Sequence, residues 1–299
     1  MNAYSPSPED RAVSVFRRRG RGWWSMKSPE MRRHRLLILP LLLLLLLTLA
    51  SCTTQSVATP APAALRIAGS TSMAAALNEL AAAYQARQPH VLVDVRGGGS
   101  SAGVAELRRG AVDLAAVAWL APDAAAPTGL SAVPVGRDAV AVIVHPENPV
   151  SGLTILQLRA LYRGETLDWA ALGGEGGEPR LVSREEGSGT RAAFEALVMG
   201  GDRVTLNAIV MPNSSAVVDY VARHRTAVGY VSMTAVTGDV RAVPVEGVMP
   251  AATSEAYHLL RTLYLYMPAR PSKEARAFVE FVLGPAGQAI IARHHAPIR

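Results

Sequence analysis

The chain has 299 residues, of which 49% are apolar, 18% charged and 5% aromatic; that is enough apolar material to bury real cores, and it excludes a disordered chain. A single cysteine excludes an internal disulfide framework and a cysteine-based zinc cluster. The formal charge of +6 sits in the first 51 residues, which hold nine Lys/Arg against three Asp/Glu, while residues 52–299 balance at 21 of each, so nothing electrostatic points to nucleic acid as a partner.

In chain order, the basic stretch Met31-Arg32-Arg33-His34-Arg35 precedes an apolar run from Leu36 to Ala50. That run is shorter than the ~20 residues of a membrane-spanning helix and suits the apolar region of a secretion signal. Directly after it, Leu49-Ala50-Ser51-Cys52 resembles the bacterial lipobox, which implies lipid attachment to the Cys52 thiol and cleavage just before it. The competing reading is a plain transmembrane anchor with an incidental cysteine. Residues 1–51 are therefore read as a lipoprotein-type signal, with Met26 and Met31 as alternative starts, and 52–64, rich in Thr, Ser, Ala and Pro, as a flexible tether.

From Leu65 onward, short β-like runs alternate with helical ones. Strands are expected at Leu65–Ala68, Val91–Val95, Val112–Val117, Ala139–Val144, Leu181–Ser183, Ala227–Val231 and near Val240–Val245. Helices are expected at Met73–Arg87, Ala102–Arg109, Thr154–Tyr162 with Thr154 as N-cap, Arg191–Val198, Ser272–Leu283 and Gly287–His294. This alternation argues for an α/β architecture with a mainly parallel sheet.

Three turns each follow an expected strand and open an expected helix: Gly69-Ser70-Thr71-Ser72, Gly97-Gly98-Gly99-Ser100-Ser101, and Arg184-Glu185-Glu186-Gly187-Ser188-Gly189-Thr190. A helix start at the carboxyl end of a strand offers unpaired N–H groups and about half a positive charge. Glycine allows close approach, and hydroxyls add donors, so such turns make anion sites. Charge-assisted hydrogen bonds contribute about 1.5–3 kcal/mol each, and several reach the roughly −8 kcal/mol of micromolar affinity. Ordinary helix capping by Ser and Thr explains the same residues without a ligand.

The run Arg184-Glu185-Glu186-Gly187-Ser188-Gly189-Thr190-Arg191 resembles the ligand loop of the phosphate-binding proteins of ABC transporters. His145-Pro146-Glu147-Asn148-Pro149-Val150, Tyr162-Arg163-Gly164-Glu165, Asn213-Ser214-Ser215-Ala216-Val217-Val218, Ala227-Val228-Gly229-Tyr230-Val231 and Gly284-Pro285-Ala286-Gly287-Gln288 resemble other segments of that family. The resemblance runs from Leu65 to Arg299. It implies a two-lobe type II periplasmic-binding-protein fold with mixed, mainly parallel sheets flanked by helices. Lobe one would be 65–137 with 243–299, and lobe two 138–242. It implies an oxyanion held by Thr71, Ser72, Ser100, Arg184, Glu186, Ser188, Gly189 and Thr190, with Arg184 contacting the anion and pairing with Glu186. It also implies a separate permease and ATPase as partners, while the lipobox implies attachment to the membrane through the lipid, facing the periplasm or cell exterior. No metal or cofactor is expected, since the sequence carries no H-E-x-x-H, no cysteine pair and no EF-hand loop.

One stretch departs from the family. After the strand ending at Val117, the family carries a polar residue where this chain has Ala118-Trp119. Without an acceptor there, phosphate would be held less selectively, or the ligand would be another oxyanion such as sulfate, molybdate or tungstate. Trp119 would be lobe packing or a wall of the cleft. A role in sensing keeps the same fold. A different class of function is also open: Gly99-Ser100-Ser101-Ala102-Gly103 fits G-x-S-x-G between a strand and a helix, which would make Ser101 a hydrolase nucleophile. The binding reading expects an ester-hydrolysis assay to show no difference between the unsubstituted chain and Ser101→Ala; a large Ser101-dependent rate would favour the enzyme.

Overall fold

The computed structural model describes residues 63–121 and 124–298. The signal, Cys52 and the tether as far as residue 62 lie outside the described residues. Strand β1 (Ala63–Gly69) starts two residues inside the stretch read as tether, because Ala63 and Ala64 already pair with Val91 and Leu92. A 3-10 turn, Thr71–Met73, leads into α1 (Ala74–Arg87). Then come β2 (Val91–Arg96), α2 (Ser100–Arg108) and β3 (Leu114–Val117).

Strand β4 runs over 15 residues, Leu130–Val144, well beyond the expected Ala139–Val144. Helix α3 (Ile155–Arg163) opens on a capping box in which Thr154 and Gln157 satisfy each other's backbone N–H groups. After β5 (Arg180–Arg184) come α4 (Gly189–Phe194), which continues as one π turn to Met199, and β6 (Ile209–Met211). Helix α5 (Ser214–Arg223), β7 (Ala227–Ser232) and β8 (Arg241–Val243) follow. Strand β9 (Leu260–Pro268), which the sequence reading missed, precedes α6 (Lys273–Leu283) and α7 (Pro285–His294).

The strand order is β2-β1-β3-β9-β4-β7-β5-β6, with β8 also paired to β4. β2-β1-β3 and β7-β5-β6 are parallel blocks, as expected where helices connect the strands. The strands β9 and β4 join the two blocks through antiparallel pairing. Helices flank this sheet system, and the fold is mixed α/β.

Two large apolar cores lie along it. Leu65, Ile67, Leu77, Leu80, Leu263 and Phe278 are buried in one. Val142, Leu158, Tyr162, Phe194, Tyr230 and Leu259 are buried in the other. Each such side chain contributes about 1.5–3 kcal/mol by leaving water. Core membership changes between Val135 and Ala139 on β4, and between Leu259, just before β9, and Leu263 on it; the chain returns to the first core near residue 261 and not at 243, because Val243, Val245, Tyr257 and Leu259 are buried in the second. Asp138 and Arg261 are register partners at that changeover.

Two glycines set how closely the first helix starts approach the sheet. At Gly69 (φ +142°) an added Cβ would lie 2.2 Å from the Ala116 carbonyl oxygen. At Gly103 it would lie 2.6 Å from the Ala68 carbonyl oxygen and 2.7 Å from the Gly69 Cα, so α2 rides directly on β1. Backbone cannot yield as a flexible side chain can. Gly103→Ala is therefore expected to destabilise the fold by about 1–3 kcal/mol, read as a lowered melting temperature, while Gly110→Ala, where no atom lies within 4 Å, costs only what its positive φ of +72° imposes.

Candidate functional site

The three turns converge. Ser72 Oγ lies 3.0 Å from Thr190 Oγ1, across 118 residues of sequence. The Ser101 N–H donates to the Gly187 carbonyl at 3.1 Å. A Cβ on Gly189 would fall 2.4 Å from Ser100 Oγ and 3.2 Å from the Ala118 Cβ, so only glycine fits between them. Ser72, Ser100, Ser188 and Thr190 are all buried.

Capping accounts for only one of the turns. Ser188 Oγ accepts the Arg191 N–H and caps α4. The helical starts after Ser70 and Gly99 carry no side-chain cap, so their first N–H groups are not satisfied in that way. Ser100 Oγ instead accepts the Ala118 N–H at 3.2 Å. Thr71 Oγ1 is buried without a hydrogen-bond partner, and a buried hydroxyl left unpaired costs about 1–3 kcal/mol unless something answers it.

Arg184, at the end of β5, is 1% exposed. Its expected pairing with Glu186 is corrected by the structure: the guanidinium grips the Glu185 carboxylate, with Nε 2.9 Å from Oε2 and Nη2 2.8 Å from Oε1. The reason is the neighbouring strand. The Glu185 N–H donates to the Met211 carbonyl, and Arg184 itself donates to the carbonyls of Met211 and Pro212 and to Ser214 Oγ. Both residues are thereby drawn to the β6 side. One Nη1 hydrogen of Arg184 is left uncommitted by these bonds. Glu186 lines a cavity of about 300 Å³ with Ser100, Ser188, Trp119 and Tyr266. Trp119 packs partly buried against the second core and also lines this cavity.

The loop that carries Arg184 and Ser188 rests on buried aromatics. Phe194 stacks on Tyr230 at 4.0 Å, and the Tyr230 hydroxyl lies 2.7 Å from Ser183 Oγ. Burial pushes the Tyr230 hydroxyl up to about 12, so it stays protonated.

Sequence reasoning missed an ion pair beside the hydroxyls. Arg261 on β9 and Asp138 on β4 are both fully buried, with Nη2 2.6 Å and Nε 3.0 Å from Asp138 Oδ2. Arg261 also donates from Nη1 to Thr190 Oγ1 at 2.9 Å and from Nη2 to Ser72 Oγ at 3.0 Å. A second cation thus stands where Arg184 was expected alone. Asp138 Oδ1 accepts from Ser232 Oγ at 2.9 Å, and His295 Nδ1 lies 3.6 Å from it. A signal existed: Arg261 is the one charged residue in a strand that is apolar and aromatic but for Thr262, and Asp138 stands directly before the wholly apolar Ala139–Val144. Charges in such places must be paired.

The G-x-S-x-G glycines have packing reasons, as described for Gly103; at Gly99 (φ +91°) an added Cβ would meet the Gly187 carbonyl oxygen at 3.0 Å. Among the described residues no histidine hydrogen-bonds Ser101: His224 bonds the Tyr220 carbonyl, His294 bonds Glu79, and His295 sits by Asp138.

A mixed sheet with helix starts gathered at one buried point defines a class, that of two-cored α/β binding folds, and comparison places the chain within it. The PBP superfamily domain matches residues 56–286, and the chain belongs to that family. It is 29% identical over 263 residues to the phosphate-binding protein PstS of Pseudomonas aeruginosa, covering 75% of this chain and 80% of that one. It is 26% identical over 231 residues to PstS of Bacillus subtilis, covering 74% and 76%. Among solved structures, a Clostridium perfringens protein crystallised with bound phosphate superposes with a TM-score of 0.75 at 30% identity, covering 79% of this chain and 100% of that one. An ABC-type phosphate transport receptor from Vibrio cholerae superposes with a TM-score of 0.66 at 30% identity, with the same coverage.

Burial by itself pushes the Asp138 carboxyl up, but Arg261 and the His295 ring outweigh it and hold the carboxyl below its ordinary value. The pair's stabilisation is therefore present above the unfolded carboxyl value of about 4 and lost as pH falls through the folded one. Asp138→Asn should be less stable at neutral pH and show an acid limb shallower by up to one proton, about 1.4 kcal/mol per pH unit, in urea melts taken across that window.

Proposed function

We propose that the chain captures an inorganic oxyanion, phosphate, outside the cytoplasm and delivers it to an ABC transporter, by closure of a cleft and without covalent chemistry. One observation carries this: three turns from distant parts of the chain meet at one buried point where two helix starts are uncapped and Thr71 Oγ1 has no partner. Such a point offers donors and is answered by an acceptor-rich anion. The matched relatives from Pseudomonas and Bacillus are phosphate-binding proteins, and this agrees with the donor chemistry.

In this reading Thr71, Ser72, Ser100, Ser188 and Thr190 donate through hydroxyls or helix-start N–H groups, and Gly189 lets the backbone approach. Arg184 supplies its uncommitted Nη1 hydrogen, and Glu186, facing the cavity, is an acceptor for a ligand proton. The two apolar cores are the two lobes, with changeovers near Asp138 on β4 and Arg261 on β9, and they close by hinge motion there. A permease and an ATPase, as separate proteins, receive the ligand. The Cys52 thiol carries the lipid that holds the protein at the membrane, facing the periplasm or cell exterior.

Isothermal calorimetry with phosphate, sulfate, molybdate, tungstate and a phosphate monoester tests the ligand. Phosphate should give heat at micromolar concentration; none below millimolar would count decisively against this reading. Arg184→Ala should weaken phosphate by more than Ser100→Ala, because a charged donor contributes roughly twice a neutral one, and equal losses would argue against the assigned role of Arg184.

A further inference from the structure

Arg261 has no place in the anion set that the sequence supplied, yet it touches two members of it. Its guanidinium is fixed from behind by Asp138, at the place where the two core-joining strands are register partners. In front it reaches one hydroxyl from each core's side, Ser72 after β1 and Thr190 after β5. An arginine can only donate. Both hydroxyls must therefore accept from it, each giving up one of its two lone pairs.

The two hydroxyls also lie 3.0 Å from each other, so one donates to the other. Whichever way that proton runs, the receiving hydroxyl then has both lone pairs filled, one by Arg261 and one by its neighbour. Its own proton has nowhere to go but outward. Ser100 and Ser188 are set in the same sense, since each accepts a backbone N–H, from Ala118 and Arg191 respectively. Ser100 and Ser188 thus each have a proton free and one lone pair already used, while one of Ser72 and Thr190 is left able only to donate.

We propose that Arg261, anchored by Asp138, is a positioning residue of the anion cleft: it fixes the polarity of the Ser72 and Thr190 hydroxyls so that the pair must present a proton to the ligand, which suits a deprotonated oxygen of a tetrahedral oxyanion. The proposal rests on the oxyanion reading above and deepens it. Arg261 acts through the hydroxyls it holds. A lysine at this position keeps the charge but loses the fork, and one ammonium cannot hold Asp138 and both hydroxyls in the same geometry.

The test is a pair of double-mutant cycles on phosphate affinity, measured by calorimetry on the mature chain. Arg261→Lys alone should weaken phosphate roughly 10- to 100-fold. If Arg261 works through the hydroxyls, its loss in a Ser72→Ala or a Thr190→Val background should cost much less than in the unsubstituted chain. Losses that multiply, within about twofold, mean that Arg261 and the hydroxyls act independently despite their contact, and that result overturns the proposal, as does an unchanged affinity in Arg261→Lys. Thermal melts establish that each variant folds. Should Arg261→Lys fail to fold, Asp138→Asn, which unseats the same guanidinium while keeping side-chain shape, takes its place in both cycles under the same criterion. Failure of the unsubstituted chain to bind phosphate at all sinks the oxyanion reading itself, and this proposal with it; binding with multiplicative losses sinks this proposal alone.

Discussion

The structure depends on one buried ion pair, Asp138 with Arg261, at the only register position where the two strands that join the cores carry opposite charges. Taking two charges out of water costs several kcal/mol per ion, and their attraction offsets this only when the remaining hydrogen-bonding capacity is satisfied. Here most of it is: Ser232 serves the carboxylate, while Ser72 and Thr190 serve the guanidinium. The pair therefore makes a demand on its surroundings: hydroxyls must stand at residues 72 and 190, and both sides of the molecule must bring them in. The charges that bind the strands together also organise the polar point between them.

Around this pair the molecule is built for close backbone approach. The first two helix starts can reach the sheet because Gly69 and Gly103 have no Cβ, and the third can reach Ser100 and Ala118 because Gly189 has none. Side chains at these positions would hold the helix ends apart and admit water between them. Water there would satisfy the free N–H groups and remove the reason for an anion to bind. The aromatic stack of Phe194 on Tyr230 gives the third turn a rigid base, so the geometry does not depend on the turn alone. A loop rich in glycine and serine is soft by itself; seated on a packed core it is not.

The sequence made much of this legible. Apolar runs that alternate with Ala-rich or capped segments mark the strands and helices, and Thr154, a cap by residue type, is one in the structure, where Gln157 completes its capping box. The three turns were visible as glycine and hydroxyl clusters at strand-to-helix junctions. Other features were not visible in that way. Strand β9 lacks a polar–apolar alternation in its sequence because both its faces are covered: Leu263 and Leu265 lie in one core while Tyr264 and Tyr266 pack in a separate apolar cluster. The partner of Arg184 was misread because a one-residue choice, Glu185 or Glu186, is decided by where the Met211 carbonyl stands, and that belongs to another strand.

What the sequence by itself determined was local: which segments are strands, which helices, and which turns carry donors at a helix start. These follow from side-chain periodicity, capping chemistry and the special freedom of glycine, all of which act over a few residues. Only the tertiary structure decided that residues 72 and 190 share a hydrogen bond, that Ser100 is turned by Ala118 and leaves its own helix start uncapped, and that Arg261 and Asp138 meet beneath them. Burial is a property of the packed whole, and only burial makes a lone arginine seek a carboxylate and two hydroxyls that stand 71 to 189 residues away in sequence.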